Sequence, residues 1–481
     1  NYEKAGEMFE KATSDNDSLS QNAYYHLADC YLKTGQKKFA HTAFFEAYKL
    51  GFDDNVTEDA LYNYAKLSYD LNLNPFNQAI KAFEQFIGDY PNSKNVQNAQ
   101  ILLINLYLTT KNYKSALASI EKIKDENNNL KKAYQKITYF RGVELFNSGN
   151  YNEAIGLFEK SQQYTYDNQT QALSFYWMGE AYYRLKNYES ARDKYNKFQV
   201  AQGAFNMPEY SMAHYNIGYT YFKVKEYDGA LLSFKKFLLN TSGAPDHIIQ
   251  DARLRAGDCH FISKEYQNAI KYYDQVAKEG KNGTDYALYQ QSLAYGALGK
   301  FSKKAEVLDQ FMQKHTMSSY NDEAMFELAN SYEISGQPSR ALIYYNRLIN
   351  EHPKSALVKE SLLKSALIYH SKGEEDKALT NFKRVYVEYR GTPESKEALI
   401  AARDIYVLLG QLDTYYDFVR SNKGNITDAE QDSLTYQAAE IYLDSNLEKA
   451  LTGFTKYLEL FPNGIFSINA HYYKAECHAA N

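Results

Sequence analysis

Residues 176–198 read YWMGEAYYRLKNYESARDKYNKF, and the spacing inside this stretch decides the fold. Gly179 precedes Tyr182 by three positions, Ala191 by twelve and Tyr195 by sixteen. Intervals of three and four are the helical period, and the polar break RLKNY between them marks a turn, so the stretch reads as two helices folded back on each other. The small residues have a physical reason. Two antiparallel helices close tightly only where one side chain is a hydrogen or a methyl group, and a bulky ring one turn away then fills the wedge.

The same pattern runs the length of the chain. A small residue followed three later by a bulky one recurs at Ala28/Tyr31, Gly218/Tyr221, Ala329/Tyr332, Ala366/Tyr369 and Ala439/Tyr442. Twelve after the small site comes an alanine, as at Ala40, Ala116, Ala154, Ala230, Ala269, Ala341 and Ala378. Four further on comes Phe44, Ile120, Phe158, Phe234, Tyr273, Tyr345 or Phe382. Successive units are 35 to 39 residues apart, which is the range of helical solenoid repeats.

At these residues the chain resembles the tetratricopeptide repeat (TPR) family over essentially its whole length. The closing proline of that family's pattern stands in DYPNS (Pro91), EHPKS (Pro353) and LFPNG (Pro462), tails similar to those of bacterial envelope TPR proteins such as outer-membrane assembly lipoproteins. The resemblance implies an all-α, right-handed solenoid of about twelve helix pairs plus a half repeat at each end. It divides 1–481 into a second helix of a cut repeat (1–17), about twelve pairs (21–464) and a further first helix (466–481). The opening NYEKAGEMFEKA reads as the interior of a unit, so the natural N-terminus is expected to lie outside this stretch.

Three departures stand out. The second pair carries two extra residues in its turn, LNLNPF. Lys304 replaces the alanine of the eighth pair. In the eleventh, Arg403 takes the small site and Tyr415 the alanine site, which predicts a weak joint at 400–430.

Composition excludes several function classes. The net charge of -5 is spread without basic or acidic blocks, so nothing points to nucleic acid. The most apolar stretch, ALIAARDIYVLLG, is broken by Arg403 and Asp404, so no transmembrane segment is expected. The three cysteines, Cys30, Cys259 and Cys477, lie more than 200 residues apart, which argues against a disulfide framework. Two have a histidine beside them, in GDCHF and ECH, the juxtaposition expected of a metal or thiol site. Yet each cysteine sits two residues after a small site, where other repeats carry Ala181, Thr220 or Ile368. Neighbouring helical residues point about 100° apart and chelate one ion poorly, so these read as buried structural thiols. His471 and His478, seven apart, read as surface or packing residues. No zincin, phosphate-loop, nucleophile-elbow or CxxC motif is present, and the reading is of a protein with no catalytic residues, no cofactor and no metal.

Function is therefore expected on a surface. In the family the first helices line the concave face. Three residues before the small site that face carries Tyr25, Tyr62, Tyr139, Tyr176, Tyr215, Tyr289, Tyr436 and Tyr472. One residue after it come Asp29, Asn105, Glu180, Asp258, Asn330, Asp404, Glu440 and Glu476, with Lys66 the one base. Tyrosine offers contact area at low entropic cost, and carboxylates attract Lys and Arg of a partner. The same tyrosines could instead pack one first helix on the next. The regular fifth to seventh pairs make the expected partner site: Tyr176, Glu180, Tyr183, Tyr215, Tyr219, Phe222, Asp258 and Phe261. Two classes of function remain open: a non-catalytic scaffold for one or more proteins in a bacterial periplasm or at the outer membrane, or in the cytoplasm, and a recruiting arm of a larger enzyme or secretion machine.

Overall fold

The computed structural model describes residues 1–72, 77–122 and 128–480. These hold 26 α-helices, a single 3-10 turn and no strand. In chain order they are a lone helix (Tyr2–Lys11), twelve pairs from Ser18–Lys33 with Lys37–Leu50 to Asp428–Glu440 with Leu447–Leu460, and a lone helix (Ser467–Ala480). The fold is an all-α solenoid. It divides into two compact units, Asn1–Ala252 and Arg253–Asn481. The extra residues read in the turn of the second pair fall mostly on 73–76, outside the described residues.

Each helix begins and ends for local reasons. Asp17, Asp53 and Asp167 cap first helices by accepting from the backbone N–H of Ser20, Asn55 and Thr170 at 2.8–2.9 Å, satisfying donors the helix leaves open. Except in the twelfth pair, the turn inside a pair is closed by one residue in the left-handed region, as Gly35 (φ 78°) in the first pair and Lys186 (φ 60°) in the fifth. There the N–H of Asn187 donates to the Tyr182 carbonyl at 2.9 Å and that of Lys186 to Tyr183 at 3.0 Å.

In the fifth to seventh pairs the small residue faces the predicted ring. A Cβ added at Gly179 would stand 2.6 Å from Tyr195, at Gly218 2.7 Å from Phe234, and at Gly257 2.6 Å from Tyr273. The alanines twelve on, Ala191, Ala230 and Ala269, are wholly buried. Lys304, the exception, is accommodated rather than expelled. Its stem runs 3.1 Å from where Gly296 would carry a Cβ, and its buried ammonium pairs with Glu327 on the next first helix. Burying a lone charge costs several kcal/mol, on the order the Glu327 carboxylate has to offset, so Lys304 and Glu327 belong together.

Candidate partner-binding face

The tyrosine ladder is first of all a device that ties one first helix to the next. Tyr25 Oη donates to Asp59 Oδ2 at 2.5 Å, Asn98 Nδ2 lies 2.5 Å from Tyr62 Oη, and Tyr215 Oη donates to Asp251 Oδ2 at 2.8 Å. Tyr289 stacks on Tyr320 at 5.3 Å, and Tyr436 on Phe466 at 4.6 Å. Tyr472, on the last lone helix, is 60% exposed. The partners Asp59, Asn98 and Asp251 each stand six before the small site of the following pair. Sequence reading missed them, although a polar residue 34 to 36 after a ladder tyrosine is a signal present in the chain.

Within the first unit the structure gathers Tyr176, Glu180, Tyr183, Tyr215 and Tyr219. Glu180 and Tyr176 lie on the first helix of the fifth pair (Asn168–Arg184), and Tyr215, Asn216 and Tyr219 on that of the sixth (Glu209–Lys223). Glu180 Oε1 accepts from Tyr195 Oη at 2.7 Å and from Asn216 Nδ2 at 2.5 Å. Both bonds fall on one oxygen, and the other has no hydrogen-bond partner among the described residues. Burial holds the Glu180 carboxyl above its ordinary range, against the Tyr195 bond, the charge of Arg184 and the Asn216 bond, which pull it down. The Tyr215 and Tyr219 rings meet edge to face at 5.0 Å, and both hydroxyls donate to Asp251. Tyr176 is buried against Phe198 and Tyr195. Between these helices opens a cleft of about 250 Å³ lined by Glu180, Tyr183, Arg184, Tyr195, Tyr215, Asn216 and Tyr219. Phe222, one turn on, packs against Tyr219 and Tyr227.

Asp258 and Phe261 belong to the second unit. Asp258 is only 7% exposed. It accepts from Tyr273 Oη at 2.8 Å and Tyr286 Oη at 3.0 Å, and Arg255 pairs with it. Its carboxylate is thus occupied inside its own unit. Phe261 is half-buried against Tyr266.

All three cysteines are buried and unbridged. Burial raises the Cys30 and Cys477 thiols above their ordinary values, which keeps them protonated and slow to react. His260 is buried, stacked on Tyr272 at 5.5 Å, with Nδ1 2.6 Å from Glu265 Oε2. Among the described residues no three His, Cys, Asp or Glu side chains come together as a metal set. No described helix is long and apolar enough to cross a membrane.

A second set of buried polar groups was also missed. Gln21 Oε1 accepts from Asp53 N at 2.7 Å while its Nε2 reaches Thr57 Oγ1 at 2.8 Å, and Gln135 embraces Asp167 N and O in the same way at 2.9 and 3.1 Å. Asp432 takes Ile465 N at 2.7 Å. All three stand seven before a small site and fasten the loop leading to the next first helix.

Comparison with known proteins agrees with this architecture. A family described as outer membrane lipoprotein matches residues 54–172, and the tetratricopeptide repeat matches 173–200 and 323–355. No curated protein matches. Among solved structures, the C-terminal part of a TPR repeat-containing protein from Cytophaga hutchinsonii is 17% identical, with TM-score 0.45, covering 54% of this chain and 99% of its own. MamA is 19% identical, with TM-score 0.33 and coverages of 38% and 92%. YrrB, described as a TPR protein with an unusual peptide-binding site, is 16% identical, with TM-score 0.34 and coverages of 45% and 97%.

Proposed function

We propose, from the premise that the chain is a tetratricopeptide-repeat protein, that it is a non-catalytic scaffold holding partner proteins or their extended segments on its first-helix face. The observation that carries this reading is the cleft between the fifth and sixth first helices. There, tyrosine rings and a half-engaged carboxylate, Glu180, share one opening. Rings of this kind supply most of the energy at interface hot spots, about 2 kcal/mol or more each. Neighbouring charge governs association rate and salt dependence. The partner surface expected in the first unit is the set Tyr176, Glu180, Tyr183, Tyr215, Tyr219 and Phe222; Asp258 and Phe261 are candidates of the second unit by itself. Of these, Asp258 contributes by holding Tyr273 and Tyr286 in place. The match of 54–172 to outer membrane lipoproteins supports a bacterial envelope setting, in the periplasm or at the outer membrane.

The test compares Glu180→Lys and Tyr183→Ala with the unaltered chain as bait on an envelope extract of the source cell, read by quantitative mass spectrometry. The reading expects one set of proteins lost from both variants, and at low salt more from Glu180→Lys. Identical capture by all three baits removes this face as the partner site.

A further inference from the structure

The tyrosine ladder of the first-helix face is interrupted once among the first six pairs, in the third. Where the neighbouring pairs carry Tyr62 and Tyr139, the helix Val96–Thr109 carries Ile101, with Asn105 and Leu108 on the turns that follow. Ile101 and Leu108 are only half-buried, although they are aliphatic. Across from them the first helix of the fourth pair, Asn128–Asn147, presents Leu130, Lys132, Ala133 and Lys136. Together they line a groove of about 340 Å³. The floor is Ile101, Ile104, Leu108 and Leu130, and Asn105 and Asn129 stand at its exposed edge.

The groove's charge is one-sided. Among the described residues, its only charged lining side chains are Lys132 and Lys136. Lys136 Nζ lies 3.1 Å from Asp167 Oδ2, whereas Lys132 is exposed and has no ion-pair partner among the described residues. The groove thus combines aliphatic surface, a cation without a counter-ion and amide side chains able both to donate and to accept toward a peptide backbone. Its volume lies within the range of about 300–1,000 Å³ typical of ligand sites.

We infer that this groove docks an extended segment of a partner protein that carries aliphatic side chains next to a side-chain carboxylate. The aliphatic groups lie on Ile101, Ile104 and Leu108, and the carboxylate pairs with Lys132. Its charge preference is opposite to that of the Glu180 cleft, so the two sites bind different segments, and one stands if the other fails. The carboxylate belongs to a side chain, so a blocked C-terminus does not weaken the contact.

The probe is a fluorescein-labelled, acetylated and amidated peptide of sequence Gly-Leu-Glu-Leu-Glu-Gly, titrated with the full chain at about 50 mM salt, where screening is weak. Ile and Leu methyl resonances are followed in parallel. Saturable binding is expected, with shifts at Ile101 and Leu108. Lys132→Glu should weaken it about tenfold, the effect of reversing a charge at a contact. Glu153→Lys, on the exposed side of the helix Tyr151–Gln162, should leave it unchanged. Helical content by circular dichroism, equal in both variants, keeps the comparison free of folding effects. The inference is overturned if the same peptide with lysine for glutamate binds as well, or if Lys132→Glu binds as tightly as the unaltered chain. Shifts caused by dodecanoate and not by the peptide would mark a lipid site instead, and would equally overturn it.

Discussion

In the fourth to seventh pairs a glycine lies so close to a ring that an added Cβ would meet it at 2.6–2.7 Å. Gly179 illustrates it, because the ring that would receive a methyl group there is pinned. Tyr195 is 1% exposed and its hydroxyl is tied to Glu180. Gly179→Ala should therefore destabilise the chain by about 1–3 kcal/mol, the cost of overpacking a filled core. Gly156 is the control. It lies on the exposed side of a helix with nothing within 4 Å of its would-be Cβ, so Gly156→Ala should stabilise by about 0.5–1 kcal/mol through helix propensity alone. Urea denaturation reads both signs, and equal effects would refute the wedge. At this scale periodicity made Gly179, Ala191 and Tyr195 legible, because packing repeats at fixed spacing. It left the engagement of Asp258 unread. A carboxylate one residue past a small site looks open in sequence, and only the approach of Tyr273 and Tyr286 closes it.

Among elements, the second helix of the eleventh pair, Leu412–Ser421, is short and loosely seated. Arg403 takes the small site, and its guanidinium turns to the neighbouring Asp404, while Tyr415, at the alanine site, and Tyr416 are both buried. A groove of about 560 Å³ lies alongside, lined by Leu412, Tyr416, Ala439, Tyr442 and Gly453 among others. Amides of 412–421 are expected to exchange faster than those of the fifth pair's second helix, Tyr188–Val200, and equal protection would remove the weak joint. The departure was visible in sequence because it broke a rule; the groove was not, because voids depend on how far neighbours relax. Histidines set a second expectation. His41 is tilted against Tyr64 with Nε2 2.9 Å from Ser68 Oγ, and His214 lies by Gln199 and Tyr210. Burial lowers both below 6.5, with Lys236 adding to the effect at His214. The unfolded chain then takes up protons first, so this stability is present above about pH 6.5 and is lost as pH falls toward the folded values. Thermal midpoints at pH 7.5 and 5.5 should differ less in a His41→Asn, His214→Asn double variant than in the unaltered chain. An unchanged difference would exclude both histidines.

For the molecule as a whole, the governing fact is that helices pack chiefly on their immediate neighbours in the chain. The stability of such an array is close to a sum of repeat and nearest-neighbour terms, so all-or-none unfolding is not expected. The chain carries its own local reporter, since Trp177 is its single tryptophan. Its indole meets Phe146 edge to face at 5.0 Å, between the fourth and fifth pairs, so its fluorescence follows those pairs alone. Far-UV circular dichroism averages over every helix, including the loosely seated Leu412–Ser421. The fifth pair has its glycine, alanine and ring in place, together with a filled Asn187 cap donated to by Ser190 N. The fluorescence midpoint in urea should therefore lie above the dichroism midpoint, and the dichroism transition should be the broader of the two. Superimposable curves would mean that the repeats unfold as one cooperative block, and the local stabilities assigned to the fifth and eleventh pairs would have to be abandoned together.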